Sequence, residues 1–525
     1  MASAATEQTM EDPSSQAPPP YASARPTGEQ RGNLFSRLFP LGYKEGFNQW
    51  WASLPAATTE HQVLSFIPYL QQPPTHQQTG KEATPAGQDT DTLVTVDTTQ
   101  SSQESANSVN DPHGPRRWRS SMVQLSGKNR ALNEFSVERV GEEVENNLVI
   151  LHGYGAGLGF FYKNFEGLSR PKGWQLYALD LLGMGRSTRP AFKIKSKKRE
   201  DAITEAEDWF VDALEEWRVK RKIDRFTLLG HSMGGYMAVA YALKYPGRLN
   251  KLILASPVGI PEDPYAVSTS GPEPTDSTMA NEFTQDQNDT TQPSNGANLP
   301  PKRVIPKWLT YLWDANVSPF SLVRWSGPLG PRLVSGWTSR RFSHLPQNEA
   351  EVLHDYAYSL FRMRGSGEYA LSYILAPGAY ARSPLIRRIH GVGRQPLFAS
   401  NQNTSTCSEN NSSPPSRSQS TSESASLSDF TKIDAPTERE KGLPIVLMYG
   451  EHDWMDVAGG LAAQEKIDQE KARVLKDATP EEREADRGSA KVVIIKKAGH
   501  HVYLDGWQEF NDVVLKEMDD VSRSN

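Results

Sequence analysis

The chain has 525 residues, 37% of them hydrophobic, with 57 Lys and Arg against 63 Asp and Glu, a net charge of −6. Its mean hydropathy is −0.60, so much of it lies outside any apolar core, and no overall basic balance points to nucleic acid. A run of ~18 apolar residues is absent, which excludes an ordinary transmembrane helix, and the single cysteine, Cys407, excludes a disulfide framework, a cysteine-rich zinc site and a cysteine nucleophile.

Residues 1–33 are rich in Ser, Ala, Pro and Gln and are expected to be disordered. Residues 34–71 interleave Phe35, Leu38, Phe39, Leu41, Phe47, Trp50 and Trp51 with Arg37 and Lys44, after Arg31. That pattern is too broken to span a bilayer and is expected to form an interfacial anchor. A mitochondrial transit peptide is the competing reading, and Glu7, Glu11 and Asp12 disfavour it. Residues 72–115 form a Thr/Gln/Asp/Ser run and are expected to be a disordered linker.

A folded core is expected over 116–262 and again over 441–525, divided by an insert at 263–440. Two antiparallel strands are expected within 119–140. Apolar runs at Asn147–Leu151, Trp174–Leu179, Phe226–Leu229, Lys251–Ala255, Ile445–Tyr449 and Val492–Ile495 read as strands buried on both faces. Between them, Ala206, Phe210, Leu214 and Trp217 recur at helical spacing, and a small-residue helix runs from Gly234 to Lys244. The last helix begins near Asp505 and carries Trp507, Phe510, Val514 and Met518. Strands alternating with helices predict an α/β fold with a parallel sheet covered on both faces. Within the insert, 264–301 and 397–436 lack core-forming residues, while 302–395 is patterned and ordered.

Gly230-His231-Ser232-Met233-Gly234 is a G-x-S-x-G run entered from a strand and left by a helix. A strained strand-to-helix turn of this kind exposes a nucleophilic serine, here Ser232, whose acid and base follow in that order. His500, directly after the glycine that follows the last strand, is the preferred base, with His501 its rival. Asp453, three residues past Gly450, is the preferred acid, with Asp456 its rival. His152-Gly153-Tyr154-Gly155 follows an early strand, so the backbone N–H groups of Tyr154 and Met233 are candidates for an oxyanion hole. The glycine-rich run 153–159 fails the dinucleotide fingerprint at Leu158, and the Asp180–Ser187 turn reads as structural. No metal or organic cofactor is called for.

Five segments, HGYGAGLGFFYKNF (152–165), DLLGMGRS (180–187), GHSMGGY (230–236), YGEHDWMD (449–456) and AGHHVYLD (498–505), together resemble the α/β-hydrolase superfamily. SPFSLVRWSGPLGPRL (318–333) adds a shorter match. More narrowly, they resemble its lysophospholipase/acyltransferase branch, which includes fungal cardiolipin-specific deacylases. The resemblance implies an α/β-hydrolase fold: a mostly parallel eight-stranded sheet, helices on both faces, a large helical lid insert and disordered segments. It implies a serine acyl hydrolase acting on a membrane glycerophospholipid, cardiolipin first, through an acyl-enzyme on Ser232. The alternatives are a lysophosphatidic acid acyltransferase, for which His500 and Asp505 match the H-x4-D motif, and a non-catalytic lipid-surface co-activator. For Asp505, capping of the final helix is the competing role. The implied location is mitochondrial, peripheral on the inner membrane, with the cytosol or a lipid-droplet surface as alternatives.

The insert bears on the partner. Residues 302–394 hold 13 Lys and Arg against 5 Asp and Glu, with Trp308, Trp313, Trp325 and Trp337 among many aromatics. A basic, aromatic lid suits an anionic phospholipid surface, with Arg340, Arg341, Arg362 and Arg364 as lipid-binding candidates. The alternative is a lid whose aromatics form a small core of their own. No nucleic acid is indicated, and protein partners are left open.

Overall fold

The computed structural model describes residues 40–69, 111–262, 316–376, 380–397 and 438–524. The segments expected to be disordered, apart from 111–115 and Leu397, lie outside these residues, as do Arg31, Phe35, Arg37, Leu38, Phe39, Trp308, Trp313 and Cys407.

Two helices come first, α1 (Tyr43–Ala52) and α2 (Ala56–Leu64). The core follows as β1 (Arg116–Gln124), β2 (Ala131–Arg139), β3 (Asn146–Leu151), α3 (Tyr162–Leu168), β4 (Trp174–Leu179), α4 (Arg199–Lys220), β5 (Phe226–His231), α5 (Met233–Lys244) and β6 (Leu249–Ala255). The lid contributes α6 (Pro319–Trp325), α7 (Gly330–Arg341), α8 (Gln347–Phe361) and α9 (Leu371–Ile374). A two-stranded pair, β7 (Pro396–Leu397) and β8 (Glu438–Arg439), leads back to the core. The core closes with β9 (Pro444–Gly450), α10 (Val457–Leu475), α11 (Pro480–Ala485), β10 (Ser489–Ile495), α12 (Val502–Asp505) and α13 (Trp507–Ser524).

Eight strands form one sheet in the order β1-β2-β4-β3-β5-β6-β9-β10. The β1–β2 and β2–β4 pairs are antiparallel, and every later neighbour is parallel. Central strands such as β5 (FTLLGH) are buried at every position, because helices cover both faces. The edge strand β10 is half-exposed along most of its length. Helix α13 buries Phe510, Val514, Met518 and Val521, one stripe at helical spacing.

The expected linker ends earlier than its composition indicates. Asp111 is buried, paired with Arg116 Nε at 2.7 Å and accepting the His113 N–H at 2.9 Å, so the fold already includes 111–115. A buried arginine must be paired, and this requirement fixes the turn that composition assigned to the linker.

The stretch expected to be an interfacial anchor is, over 40–69, part of the lid. Arg332 Nε donates to Leu41 O at 2.8 Å, and its guanidinium lies 3.5 Å from the Tyr43 ring centroid. Thr59 and Ser359 share a hydrogen bond of 2.8 Å. Glu60 is buried and pairs with Arg186 at 2.6 Å, tying α2 to the turn after β4. What remains exposed is a set of large apolar side chains: Tyr43, Phe47 and Trp51 on α1, Leu322 and Trp325 on α6, Leu329 between α6 and α7, and Leu333 on α7. No described helix is long and apolar enough to cross a membrane.

Candidate active site

The loops leaving β3, β5, β9 and β10 at their C-terminal ends build the site, the usual place for ligands on an open parallel sheet. Ser232, between β5 and α5, has φ 52° and ψ −116°, a strained conformation for a residue with a side chain. Neighbouring backbone is what holds it there. A Cβ on Gly230 would stand 2.4 Å from Gly234 O, and one on Gly234 would stand 2.6 Å from His152 O.

Ser232 Oγ lies 3.1 Å from His500 Nε2, and His500 Nδ1 lies 3.1 Å from Asp453 Oδ1. An ionised Asp453 accepts from Nδ1–H, which leaves Nε2 to accept from the serine hydroxyl. Burial acts to raise the Asp453 carboxyl, but the charge and hydrogen bond of His500 and the Met455 N–H hold it below its usual value. Ser232 and the side chains of Asp453 and His500 are buried beneath the lid.

The rivals stand elsewhere. Asp456 caps α10, its Oδ1 accepting the Ala458 N–H at 2.9 Å. His501 packs its ring 5.3 Å from that of His231 and 5.4 Å from that of His500. Burial and the nearby Arg341 charge push it well below its usual pKa.

Three supporting side chains were not singled out by sequence reasoning. His231 Nε2 donates to His500 O at 3.0 Å, so the residue before the nucleophile holds the loop of the base. His152 Nδ1–H donates to Gly153 O at 2.7 Å, and its Nε2 accepts the Leu181 N–H at 3.0 Å. Burial lowers its pKa to about 4. Trp454 lays its ring 4.8 Å from that of His500. The two histidines lie inside motif segments, where their roles had a signal; nothing in the sequence marks Trp454.

Met233 opens α5, so its N–H is among those that no carbonyl of the helix takes. Tyr154 is buried in the loop after β3, its ring stacked on Phe320 of α6 at 5.3 Å. A Cβ on Gly153 would stand 3.0 Å from Ser232 Cβ, which places this loop directly over the serine. Asp180 organises the neighbouring turn: its carboxylate accepts from Leu158 N, Arg186 N and Asn133 Nδ2, each at 2.7 Å.

Asp505 does not cap the final helix. It ends α12, and its Oδ2 accepts the Gly499 N–H at 3.1 Å while its Oδ1 accepts from Arg341 Nη1 at 3.0 Å. Its carboxylate therefore braces the loop that carries His500.

Two of the lipid-binding candidates are engaged internally. Arg341 is tied to Asp505, and Arg362 donates to Ser53 Oγ at 2.6 Å, Ser53 O at 2.7 Å and Leu54 O at 2.9 Å. Arg340 is half-buried and Arg364 is exposed. Other lid arginines are paired as well: Arg324 with Glu368 at 2.6 Å, Arg387 with Glu262 at 2.8 Å and Arg388 with Glu207. A net positive count thus overstates the basic surface, because several of these charges neutralise carboxylates of the core. Among the described residues no group of three or more His, Cys, Asp or Glu is placed to hold a metal ion.

Residues 146–326 match the family model described as the alpha/beta hydrolase fold. A 1-acylglycerol-3-phosphate O-acyltransferase of Arabidopsis thaliana is 29% identical over 430 residues, covering 81% of this chain and 77% of that protein. The 1-acylglycerol-3-phosphate O-acyltransferase ABHD5 of Mus musculus is 32% identical over 283 residues, 53% of this chain and 68% of its own. The (lyso)-N-acylphosphatidylethanolamine lipase of Homo sapiens is 27% identical over 379 residues, 71% of this chain and 79% of its own. The chain belongs to the α/β-hydrolase family.

Proposed function

We propose that this protein is a serine acyl hydrolase that removes a fatty acyl chain from a membrane glycerophospholipid, cardiolipin being the first candidate. The observation that carries the reading is the continuous hydrogen-bonded line from Ser232 through His500 to Asp453. Ser232 Oγ attacks the ester carbonyl while His500 takes its proton. The Met233 and Tyr154 amides face the developing oxyanion. His500 returns the proton to the leaving lysophospholipid oxygen, and water then releases the fatty acid. The similarity to a (lyso)-N-acylphosphatidylethanolamine lipase supports ester or amide cleavage in a phospholipid.

A second reading, acyl transfer to a lysophospholipid, is favoured by the relatives named 1-acylglycerol-3-phosphate O-acyltransferase. It differs only in what deacylates Ser232. In the same proposal the exposed aromatic and leucine side chains of α1, α6 and α7 rest on an anionic membrane surface, peripherally on the mitochondrial inner membrane. Lipid product analysis with purified protein tests both readings. Vesicles of cardiolipin should yield free fatty acid and monolysocardiolipin. Acyl-CoA with lysophosphatidate yielding phosphatidate, and no fatty acid from cardiolipin, would replace hydrolysis with transfer.

A further inference from the structure

A narrow cleft lies under the lid beside the nucleophile. Aromatic side chains, among them Tyr154, Phe320, Trp337 and Tyr503, line it together with His501 and Arg341. Its volume is about 20 Å³, little more than one water-sized sphere, so a lipid enters only as the lid moves outward. Tyr154 and His501 are the chain neighbours of Gly153 and His500, so the cleft adjoins the loops that carry the site.

Arg341 is the one fixed cation in this apolar lining. Its side chain is 10% exposed, and only its Nη1 end is held, by Asp505 at 3.0 Å. Its Nε and Nη2 are buried with no hydrogen-bond partner. These two nitrogens form one edge of the guanidinium, the fork that binds a phosphate or carboxylate through two parallel N–H bonds. Leaving such donors buried and unsatisfied is unfavourable, a burden that a ligand would lift.

We propose that the Nε–Nη2 edge of Arg341 is the head-group anchor of the acyl site and takes the phosphate of the phospholipid whose ester lies at Ser232. This rests on the acyl-hydrolase reading above. The carboxylate of a released fatty acid would sit at the serine itself, so an anion taken by Arg341 would belong to the head group. Free phosphate would lose its hydration in an apolar cleft with no chain to bury in return, which favours the lipid as its source. Asp505 is then a positioning residue, holding the other end of the guanidinium so that the fork stays turned to the cleft.

The test is a binding titration on full-length Ser232→Ala protein, which needs no turnover and so stands apart from the hydrolase reading. The probes are hexanoyl-lysophosphatidate, monohexanoyl-glycerol, hexanoate and inorganic phosphate. Arg341→Met should weaken lysophosphatidate about tenfold or more while changing monohexanoyl-glycerol less than about twofold. Arg341→Lys keeps the charge opposite Asp505 and removes the fork. It should fold with wild-type stability and still weaken lysophosphatidate several-fold. Equal losses on both lipids, or no loss on either, would overturn the proposal by making Arg341 a brace of the lid alone. Inorganic phosphate or hexanoate binding as tightly as lysophosphatidate would overturn the lipid phosphate as the ligand.

Discussion

Replacing Asp453 by Asn removes one charge and keeps the shape of the site. The amide oxygen can still accept from His500 Nδ1, now 3.1 Å from Oδ1, and from the Met455 N–H at 3.0 Å. What is lost is the attraction between the carboxylate and the imidazolium that forms as His500 takes the serine proton. At 3.1 Å and an effective dielectric of about 20, that attraction is ~5 kcal/mol. That attraction strengthens as the imidazolium forms on the way to the transition state, so it acts on kcat. About 5 kcal/mol corresponds to a loss of roughly 10⁴-fold. The Asp453 carboxyl is held below its usual pKa, so the wild-type protein keeps across the neutral range the charge that the variant lacks. Asp456→Asn is the matched control. Asn caps a helix about as well as Asp, so α10 should hold and turnover of p-nitrophenyl butyrate should stay within about threefold of wild type. Single-turnover kinetics on both variants, with melting curves to show that they fold, read out the comparison. A loss under tenfold for Asp453→Asn, or a larger loss for Asp456→Asn, would refute the reasoning.

Four further outcomes concern buried histidines, the exposed aromatic surface, its salt dependence and the long inserts. His152, lowered to about 4 by burial, and His231 and His501, pushed well below their usual value, stay neutral in the fold while the unfolded chain protonates near pH 6.5. Stability should be complete above pH 6.5 and fall below it, by up to about 1.4 kcal/mol per unit for each histidine; a melting temperature constant from pH 7 to 5 would contradict this. Trp51→Ala with Trp325→Ala should weaken binding to cardiolipin-containing vesicles tenfold or more, from about 1.5–3 kcal/mol of apolar burial per ring. Because several lid arginines are paired internally, salt should weaken that binding only modestly; a co-sedimentation assay dominated by salt would restore the charge-led account. Replacing 264–301 and 398–436 with short Gly/Ser linkers should move the melting temperature by only a few degrees, since loop closure depends weakly on length; a large drop in calorimetry would assign these segments to the fold.

The core was legible because most of its strands are continuous apolar runs between turn residues, and the two antiparallel strands expected within 119–140 are present as β1 and β2, β1 starting three residues earlier. The G-x-S-x-G turn was equally readable, since its glycines answer to backbone atoms within 3 Å. Burial by remote partners was not. Asp505 looked like a helix cap from its position beside the last helix, but its partners are Gly499 and Arg341, the latter 164 residues away in the chain. The lid arginines looked like a basic surface because a count over the segment cannot see Glu207 and Glu262 across from them in the core. That residues 40–69 also pack on the lid was not legible, because Glu60 shows its purpose only when Arg186 closes on it.

The most direct test of the central claim is covalent labelling of the full-length protein with a fluorophosphonate, followed by mass mapping of the modified peptide. The account predicts one adduct on Ser232, formed more slowly in His500→Ala and competed by cardiolipin vesicles, with Ser232→Ala neither labelled nor releasing fatty acid. An unlabelled Ser232 in folded wild-type protein, or a Ser232→Ala variant that keeps more than about a tenth of the turnover, a loss below ~1.4 kcal/mol, would contradict it.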